Sequence, residues 1–114
     1  MVTVYGIKNC DSVKKALKFL NEQSISYTFV DFKTSPVKID KVSQWLNHVD
    51  MSTLFNTRGT TYRLLGLKSL DLDDNNKAQW MSKENLLIKR PVIEYNSNII
   101  VGFDSSKYEG IFHT

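Results

Sequence analysis

The apolar positions predict a strand, a helix and a strand in the first 32 residues. Residues 11 to about 23 have a helical period, which four apolar positions define: Val13, Ala16, Leu17 and Leu20. A β-favouring stretch ends at Gly6, and a second one covers residues 25–32. Strand, helix and strand in this order form a βαβ unit, in which parallel pairing and a right-handed crossover are strongly favoured.

The pattern is irregular and mostly helical from the Ser35-Pro36 break to about residue 88. We predict a helix at about 38–48, a polar loop at 56–61, one or two helical turns at 62–67, an acidic turn at 71–76 and a helix at 77–85. Residues 92–95 and 99–101 are predicted to pair around the polar turn 96–98, and residues 105–112 to form a closing helix.

The order βαβ, helical stretch and ββα is that of a thioredoxin-like domain. We therefore predict a single α/β domain over residues 1–114, with a mixed sheet and a helical insertion at about 36–88 between the two halves. The aromatic residues predicted to lie in its core are Trp45, Trp80, Phe103 and Phe112. We assign no chemical role to His48 or His113.

Composition narrows the functional class. One cysteine among 114 residues excludes an intrachain disulfide framework and fits a reducing compartment, so we expect a cytoplasmic protein. No apolar stretch approaches the roughly 20 residues of a membrane helix, so we expect no membrane partner. A net charge of +3 does not favour a nucleic-acid partner, and no residue set predicts a metal site.

The single cysteine, Cys10, follows a short turn after Gly6 and precedes the first predicted helix. Unpaired backbone N–H groups and the helix dipole at such a position favour a thiolate, which is the nucleophilic form. The alternative is an inert buried cysteine. Four nearby lysines suit an anionic partner, although they also fit the solvated face of a helix: Lys8, Lys14, Lys15 and Lys18.

Three segments resemble a known family in their order and spacing. Residues 5–12 read YGIKNCDS, residues 56–63 read NTRGTTYR and residues 88–91 read IKRP. Together they resemble the arsenate reductase-like (ArsC/Spx/YffB) family over nearly the whole chain. The second segment is most similar to the YffB-like branch. The resemblance implies a thioredoxin-like fold with a helical insertion, in agreement with the element order.

The resemblance also implies a set of site residues. Cys10 matches the nucleophile, and Arg58 and Arg90 match active-site arginines, which bind an oxyanion or a carboxylate through two parallel hydrogen bonds. Pro91 matches a cis proline that faces the cysteine. We expect Lys8, Asn9 and Pro91 to contact the substrate, although Asn9 could equally steady its turn. The structural alternatives are a surface-loop arginine at 58, an exposed strand-entry arginine at 90 and a trans proline at 91.

Two departures from the family pattern limit the chemistry. Val13 occupies the third position after Cys10, where a C-x-x-C protein has its resolving cysteine. An adduct on Cys10 must then be released by an outside thiol, so we expect glutathione or a glutaredoxin-type protein as partner, with glutathione as co-substrate and no bound cofactor. Arsenate reductases of the family also have a third arginine near the last strand, and this chain has no arginine after Arg90.

These observations favour a glutathione-dependent thiol reductase or transferase with one nucleophilic cysteine. One alternative is an arsenate reductase coupled to glutathione and glutaredoxin, which the missing arginine disfavours. The other is an Spx-like transcriptional regulator that binds RNA polymerase. The absence of a second cysteine removes the intramolecular redox switch of some such regulators.

Overall fold

The computed structural model describes residues 1–112, and His113 lies outside the described residues. The chain forms two compact units. The first contains Met1–Asp31 and the chain from Arg90 onward, and the second is Phe32–Lys89. The second unit coincides closely with the insertion predicted at 36–88. The assignment of the whole chain to one domain stays a prediction.

The elements follow the predicted order. The strands are β1 Val2–Gly6, β2 Tyr27–Asp31, β3 Val92–Tyr95 and β4 Asn98–Val101. The helices are α1 Asp11–Glu22, α2 Ile39–Leu46, α3 Met51–Leu54, α4 Thr60–Leu64, α5 Asp74–Lys83 and α6 Ser105–Ile111. Two 3₁₀ helices cover Leu67–Leu70 and Asn85–Leu87. No helix within residues 1–112 has the length and apolar character needed to cross a membrane.

The first unit is built on a four-stranded mixed sheet in the order β2-β1-β3-β4. β1 pairs with β2 in parallel, whereas the β1–β3 and β3–β4 pairs are antiparallel. The parallel pair is joined through α1, and the hairpin β3–β4 is followed by α6. This arrangement confirms the predicted α/β, thioredoxin-like fold.

One core joins the sheet to α1 and α6. Its buried members come from three strands and both helices: Val2, Val4, Ala16, Leu20, Ile93, Ile100, Tyr108 and Phe112. Tyr108 lies at its centre, with the rings of Phe19 and Phe103 packed edge-to-face at 5.5 and 5.0 Å. The apolar stripe of α1 is therefore buried as its period predicted.

The core prediction for the aromatic residues was half correct. Trp45 and Phe112 are buried, whereas Phe103 and Trp80 are only half-buried. Trp80 lies on α5 with the Lys83 amine 5.8 Å from its ring, so one face of the ring is near solvent. His48 is exposed.

The second unit packs α2 against α5 and buries Val42, Trp45 and Met81 completely. The side chain of Asn85 is buried in this unit. It accepts a hydrogen bond from the Val37 N–H at 2.7 Å and donates to the carbonyls of Val37 at 3.1 Å and Met81 at 2.9 Å. These bonds satisfy an amide whose burial would otherwise be costly.

Two predicted boundaries differ from those in the structure. The acidic turn predicted at 71–76 is wrong at its end, because α5 begins at Asp74 and the Asp73 carboxylate accepts from the Asn76 N–H at 2.7 Å. The hairpin turn has two residues, Asn96 and Ser97, both with positive φ, which is the geometry that matches the strand twist. Asn98, predicted in the turn, starts β4.

Candidate active site

Cys10 is the N-cap residue of α1. Its backbone is extended, and its carbonyl accepts the first helical hydrogen bond, from the Lys14 N–H at 2.9 Å. Its side chain makes no capping hydrogen bond and is half-exposed. The sulfur thus lies at the positive end of a twelve-residue helix and is within reach of a solute.

Close packing of β1 on α1 positions this cysteine. A β-carbon on Gly6 would lie 2.7 Å from the Cγ2 atom of Val13, closer than real atoms approach. Val13 is fully buried one turn into α1. The absence of a side chain at Gly6 therefore lets the first turn of α1, with Cys10 at its start, lie directly against the end of β1.

The turn between β1 and α1 presents polar side chains. Ile7 is buried, whereas Lys8 and Asn9 are exposed beside Cys10. Lys14, Lys15 and Lys18 are also exposed along α1. The chain segment around Cys10 is therefore cationic and exposed, which fits both an anionic partner and the solvated face of a helix.

Arg90 and Pro91 lie at the same edge of the sheet as the segment that leads to Cys10. Tyr5 pairs with Val92 in the antiparallel β1–β3 ladder, so β1 leaves the sheet where β3 enters it. The Arg90–Pro91 peptide bond is cis, as the resemblance implied. Pro91 is buried, and Arg90 is half-buried with its Nε atom inside the protein. That Pro91 faces the sulfur stays a prediction.

The segment after β4 returns to this edge. Gly102, which has a φ of 83°, donates its N–H to the Pro91 carbonyl at 2.8 Å. Phe103 follows and packs its ring on Tyr108. An apolar, core-facing residue thus stands in the region where arsenate reductases of the family have their third arginine.

Arg58 belongs to the second unit, in the loop between α3 and α4. Asn56 fixes this loop: its N–H donates to the Leu87 carbonyl at 2.8 Å, and its side-chain oxygen accepts from the Arg58 N–H at 3.2 Å. A β-carbon on Gly59 would lie 2.7 Å from the Asn56 amide nitrogen, so a larger residue there would require the Asn56 side chain to shift. Arg58 itself is exposed. Its joint action with Cys10 stays a prediction.

The side chain of Arg58 lines a cavity of about 440 Å³ inside the second unit, together with Tyr62, Arg63 and Lys68. The sequence analysis missed these three residues. The sequence signal for Arg63 was its position five residues after Arg58 in the same motif. Lys68 had no such signal, because its position beside the cavity depends on the turn at Gly66. Within residues 1–112, no group of three His, Cys, Asp or Glu side chains could hold a metal ion.

Comparison with known proteins agrees with this architecture. The chain matches the model of the ArsC family over residues 5–111. A Haemophilus influenzae protein of unassigned function is 36% identical over 113 residues, which cover 98% of this chain and 99% of the relative. The global transcriptional regulator Spx of Streptococcus mutans is 26% identical over 109 residues, covering 94% and 80%.

The solved structure of the protein YFFB superposes with a TM-score of 0.90 at 33% identity, covering 96% of this chain and 97% of that one. The agreement extends over both units of the chain, and it accompanies a family match over nearly the full length. The chain belongs to the ArsC family.

Proposed function

We propose that this protein is a thiol oxidoreductase that uses Cys10 as its nucleophile and glutathione as its co-substrate. The observation that carries the proposal is the placement of Cys10, half-exposed at the N-terminus of α1 and at the sheet edge where the cis Arg90–Pro91 bond begins β3. A thiol in this position is set up for attack on an electrophilic sulfur.

The reaction is a pair of thiol–disulfide exchanges. The Cys10 thiolate attacks the glutathione sulfur of a glutathionylated substrate, a bond forms between Cys10 and glutathione, and the substrate leaves as a reduced thiolate. A second glutathione thiolate then attacks the glutathione sulfur of the adduct. This step releases the Cys10 thiolate and forms glutathione disulfide, so the electrons that reduce the substrate come from the one free glutathione, and the other half of the disulfide comes from the substrate adduct.

In this proposal the other candidate site residues bind glutathione and hold it in position. We propose that Arg58 and Arg90 bind the carboxylates of glutathione, while Lys8, Asn9 and Pro91 contact the extended tripeptide. Val13 leaves no internal thiol to resolve the adduct, so the second exchange depends on glutathione or a glutaredoxin-type protein. We propose the cytoplasm as the compartment, because a lone cysteine that acts as a free thiol fits a reducing environment.

The test is incubation with glutathione disulfide followed by intact-mass measurement. We expect one added glutathione on the wild-type protein, stable after removal of excess reagent and lost when free glutathione is supplied. The Cys10→Ser variant serves as the control and is expected to add none. A wild-type protein that takes up no glutathione would remove the basis of the proposal.

Arsenate reduction is a second candidate function, because the chain belongs to the ArsC family and we propose Arg58 and Arg90 as anion-binding residues. The chain has no arginine between Pro91 and its end, and loss of one charge-assisted hydrogen bond costs on the order of 1.5–3 kcal/mol, about one to two decades of affinity. We expect weak or no arsenate reduction with glutathione and glutaredoxin. Efficient turnover by the wild-type protein would promote this candidate over the first.

Regulation of transcription is a third candidate, favoured by the similarity to Spx of Streptococcus mutans. It predicts binding to purified RNA polymerase that survives the Cys10→Ser substitution. The lead proposal predicts no such binding. A pull-down with both protein forms separates the two.

A further inference from the structure

The cavity in the second unit has the features of a binding site in its own right. It lies between the loop that follows α3, helix α4 and the 3₁₀ helix Leu67–Leu70, and its volume is about 440 Å³. Clefts that bind ligands in proteins usually have volumes of about 300–1,000 Å³. The cavity is therefore large enough to accept a group of several side-chain atoms.

The charged side chains that line this cavity are all positive. Arg58, Arg63 and Lys68 line it, and no acidic side chain among the described residues does so. Two glycines, Gly59 and Gly66, leave the backbone accessible between these cations. A ligand that fills the cavity must then carry negative charge, and the arginines suit carboxylates in particular.

One wall of the cavity is held in place by the core of its unit. The ring of Tyr62 packs edge-to-face on Phe55 at 5.7 Å, and Phe55 is buried. The Lys77 amine lies 5.8 Å from the centre of the Phe55 ring. Because Tyr62 is already fixed, binding at this wall requires little ordering of the protein.

Exposed apolar side chains are concentrated next to the cavity. Among the described residues, four large hydrophobic side chains are exposed, and three of them lie within seven residues of one another: Leu64 at 77%, Leu65 at 41% and Leu70 at 53%. Leu64 and Leu65 directly follow Arg63, and α4 packs on the 3₁₀ helix that ends at Leu70. Clustered exposed apolar residues mark interaction surfaces.

We propose that this cavity and the three leucines beside it bind a segment of a partner protein whose acidic side chains are flanked by apolar ones. Charge complementarity selects the acidic residues, and the leucines select their apolar neighbours. A small anion would neutralise the cavity but leave the leucines in water. A helix as short as α4, Thr60–Leu64, is too small to lie in a membrane surface. This surface shares Arg58 with the proposed glutathione site, but binding to it does not require Cys10, so the Cys10→Ser protein tests it separately from thiol exchange.

The test is an NMR titration of ¹⁵N-labelled Cys10→Ser protein with the synthetic peptide acetyl-Leu-Glu-Asp-Leu-Leu-Glu-amide. We expect the amide signals of Gly59 and Gly66 to shift with the peptide. The double variant Arg63→Glu/Lys68→Glu is expected to weaken binding at least tenfold. Lys38→Glu/Lys107→Glu carries the same change in charge on exposed residues outside the cavity and is expected to bind as the parent does.

A second pair of variants tests the apolar half of the surface. Leu64→Ser/Leu70→Ser keeps every charge and is expected to weaken peptide binding several-fold, with an unchanged dispersion of the spectrum. Unmoved Gly59 and Gly66 signals at millimolar peptide would overturn the proposal. The same holds if the control double variant loses as much binding, or if succinate or anionic phosphatidylglycerol vesicles move these signals and the peptide does not.

Discussion

The hydroxyl of Tyr108 donates a hydrogen bond to the carbonyl of Gly102 at 2.5 Å, and both residues are buried. Gly102 in turn donates its N–H to the carbonyl of Pro91. A residue of α6 is thus connected, through one glycine, to Pro91, the residue before β3. A side chain of the last helix therefore supports the backbone beside the candidate site.

Tyr108→Phe removes this hydroxyl and leaves the Gly102 carbonyl without its buried donor. We expect a loss of about 1–3 kcal/mol in the free energy of unfolding, measured by urea denaturation. Tyr27→Phe, on the half-exposed strand β2, is the control and is expected to change stability by less than about 0.5 kcal/mol. Equal effects of the two substitutions would show that the Tyr108–Gly102 bond contributes nothing.

The same tyrosine predicts a dependence on alkaline pH. Burial raises the pKa of Tyr108 above its ordinary value of 10.0. The unfolded chain therefore loses this proton before the folded one does, and stability is complete below pH 10 and falls above it by about 1.4 kcal/mol per pH unit. The stability gap between the wild type and Tyr108→Phe is expected to narrow between pH 10 and 11. Parallel curves would contradict the assignment.

Gly6→Ala places a β-carbon against Val13. We expect a loss of about 1–3 kcal/mol in the free energy of unfolding and slower reaction of Cys10 with glutathione disulfide, since the first turn of α1 must move. Adding Val13→Ala to this variant is expected to recover part of both. Gly110→Ala is the matched control: it lies within α6 with open space around its α-carbon, and we expect it to gain about 0.5–1 kcal/mol. A tolerated Gly6→Ala would show that the contact is not tight.

Val13→Cys restores the C-x-x-C spacing at a buried position one turn from Cys10. We expect the glutathione adduct of this variant to disappear without added thiol and to leave an internal disulfide, lighter than the reduced protein by the mass of two hydrogen atoms. Val13→Ala makes a similar space without a sulfur and is expected to keep its adduct, as the wild type does. A persistent adduct on the cysteine variant would show that the two sulfurs cannot meet.

Arg58→Ala and Arg90→Ala test the two candidate anion-binding residues. Each is expected to slow glutathione adduct formation by about ten- to a hundredfold, the equivalent of one charge-assisted hydrogen bond. Arg58 is exposed, so its loss is expected to leave the melting temperature nearly unchanged, while half-buried Arg90 costs more. Lys107→Ala, an exposed cation on α6, is the control for charge alone. A fall in stability with unchanged adduct formation would make either arginine structural.

The first unit could be predicted well because its signals are local. The period of Val13, Ala16 and Leu20 gives α1, and the position of Cys10 at its start follows directly. The resemblance implied that Arg90 and Pro91 belong to the site of Cys10, whereas the β1–β3 pairing that brings them to the same edge of the sheet was not predicted. The tight contact of Gly6 with Val13 was not visible, because it depends on the exact approach of a helix to a strand.

The second unit was harder to predict from the sequence because tertiary contacts determine where its helices begin and end. The carboxylate of Asp73 caps α5, so the acidic turn ends earlier than predicted, and Gly66, which lies between Arg63 and Lys68 in the cavity lining, has a left-handed backbone with a φ of 64°. Trp80, predicted in the core, lies on the partly exposed side of α5. None of these features follows a periodic pattern of apolar residues, so the sequence alone could not reveal them.

The amide of Asn85 bonds to both backbone groups of Val37, which lies 48 positions earlier in the chain. The uncharged side chain of Asn85 thereby closes a long loop. In secreted domains, loops of this kind are usually closed by a disulfide bond. The entry and the exit of the second unit are thus tied together by a bond that no reductant can open. A protein with a single cysteine, which cannot form an intrachain disulfide, thus holds these two segments together through an amide instead.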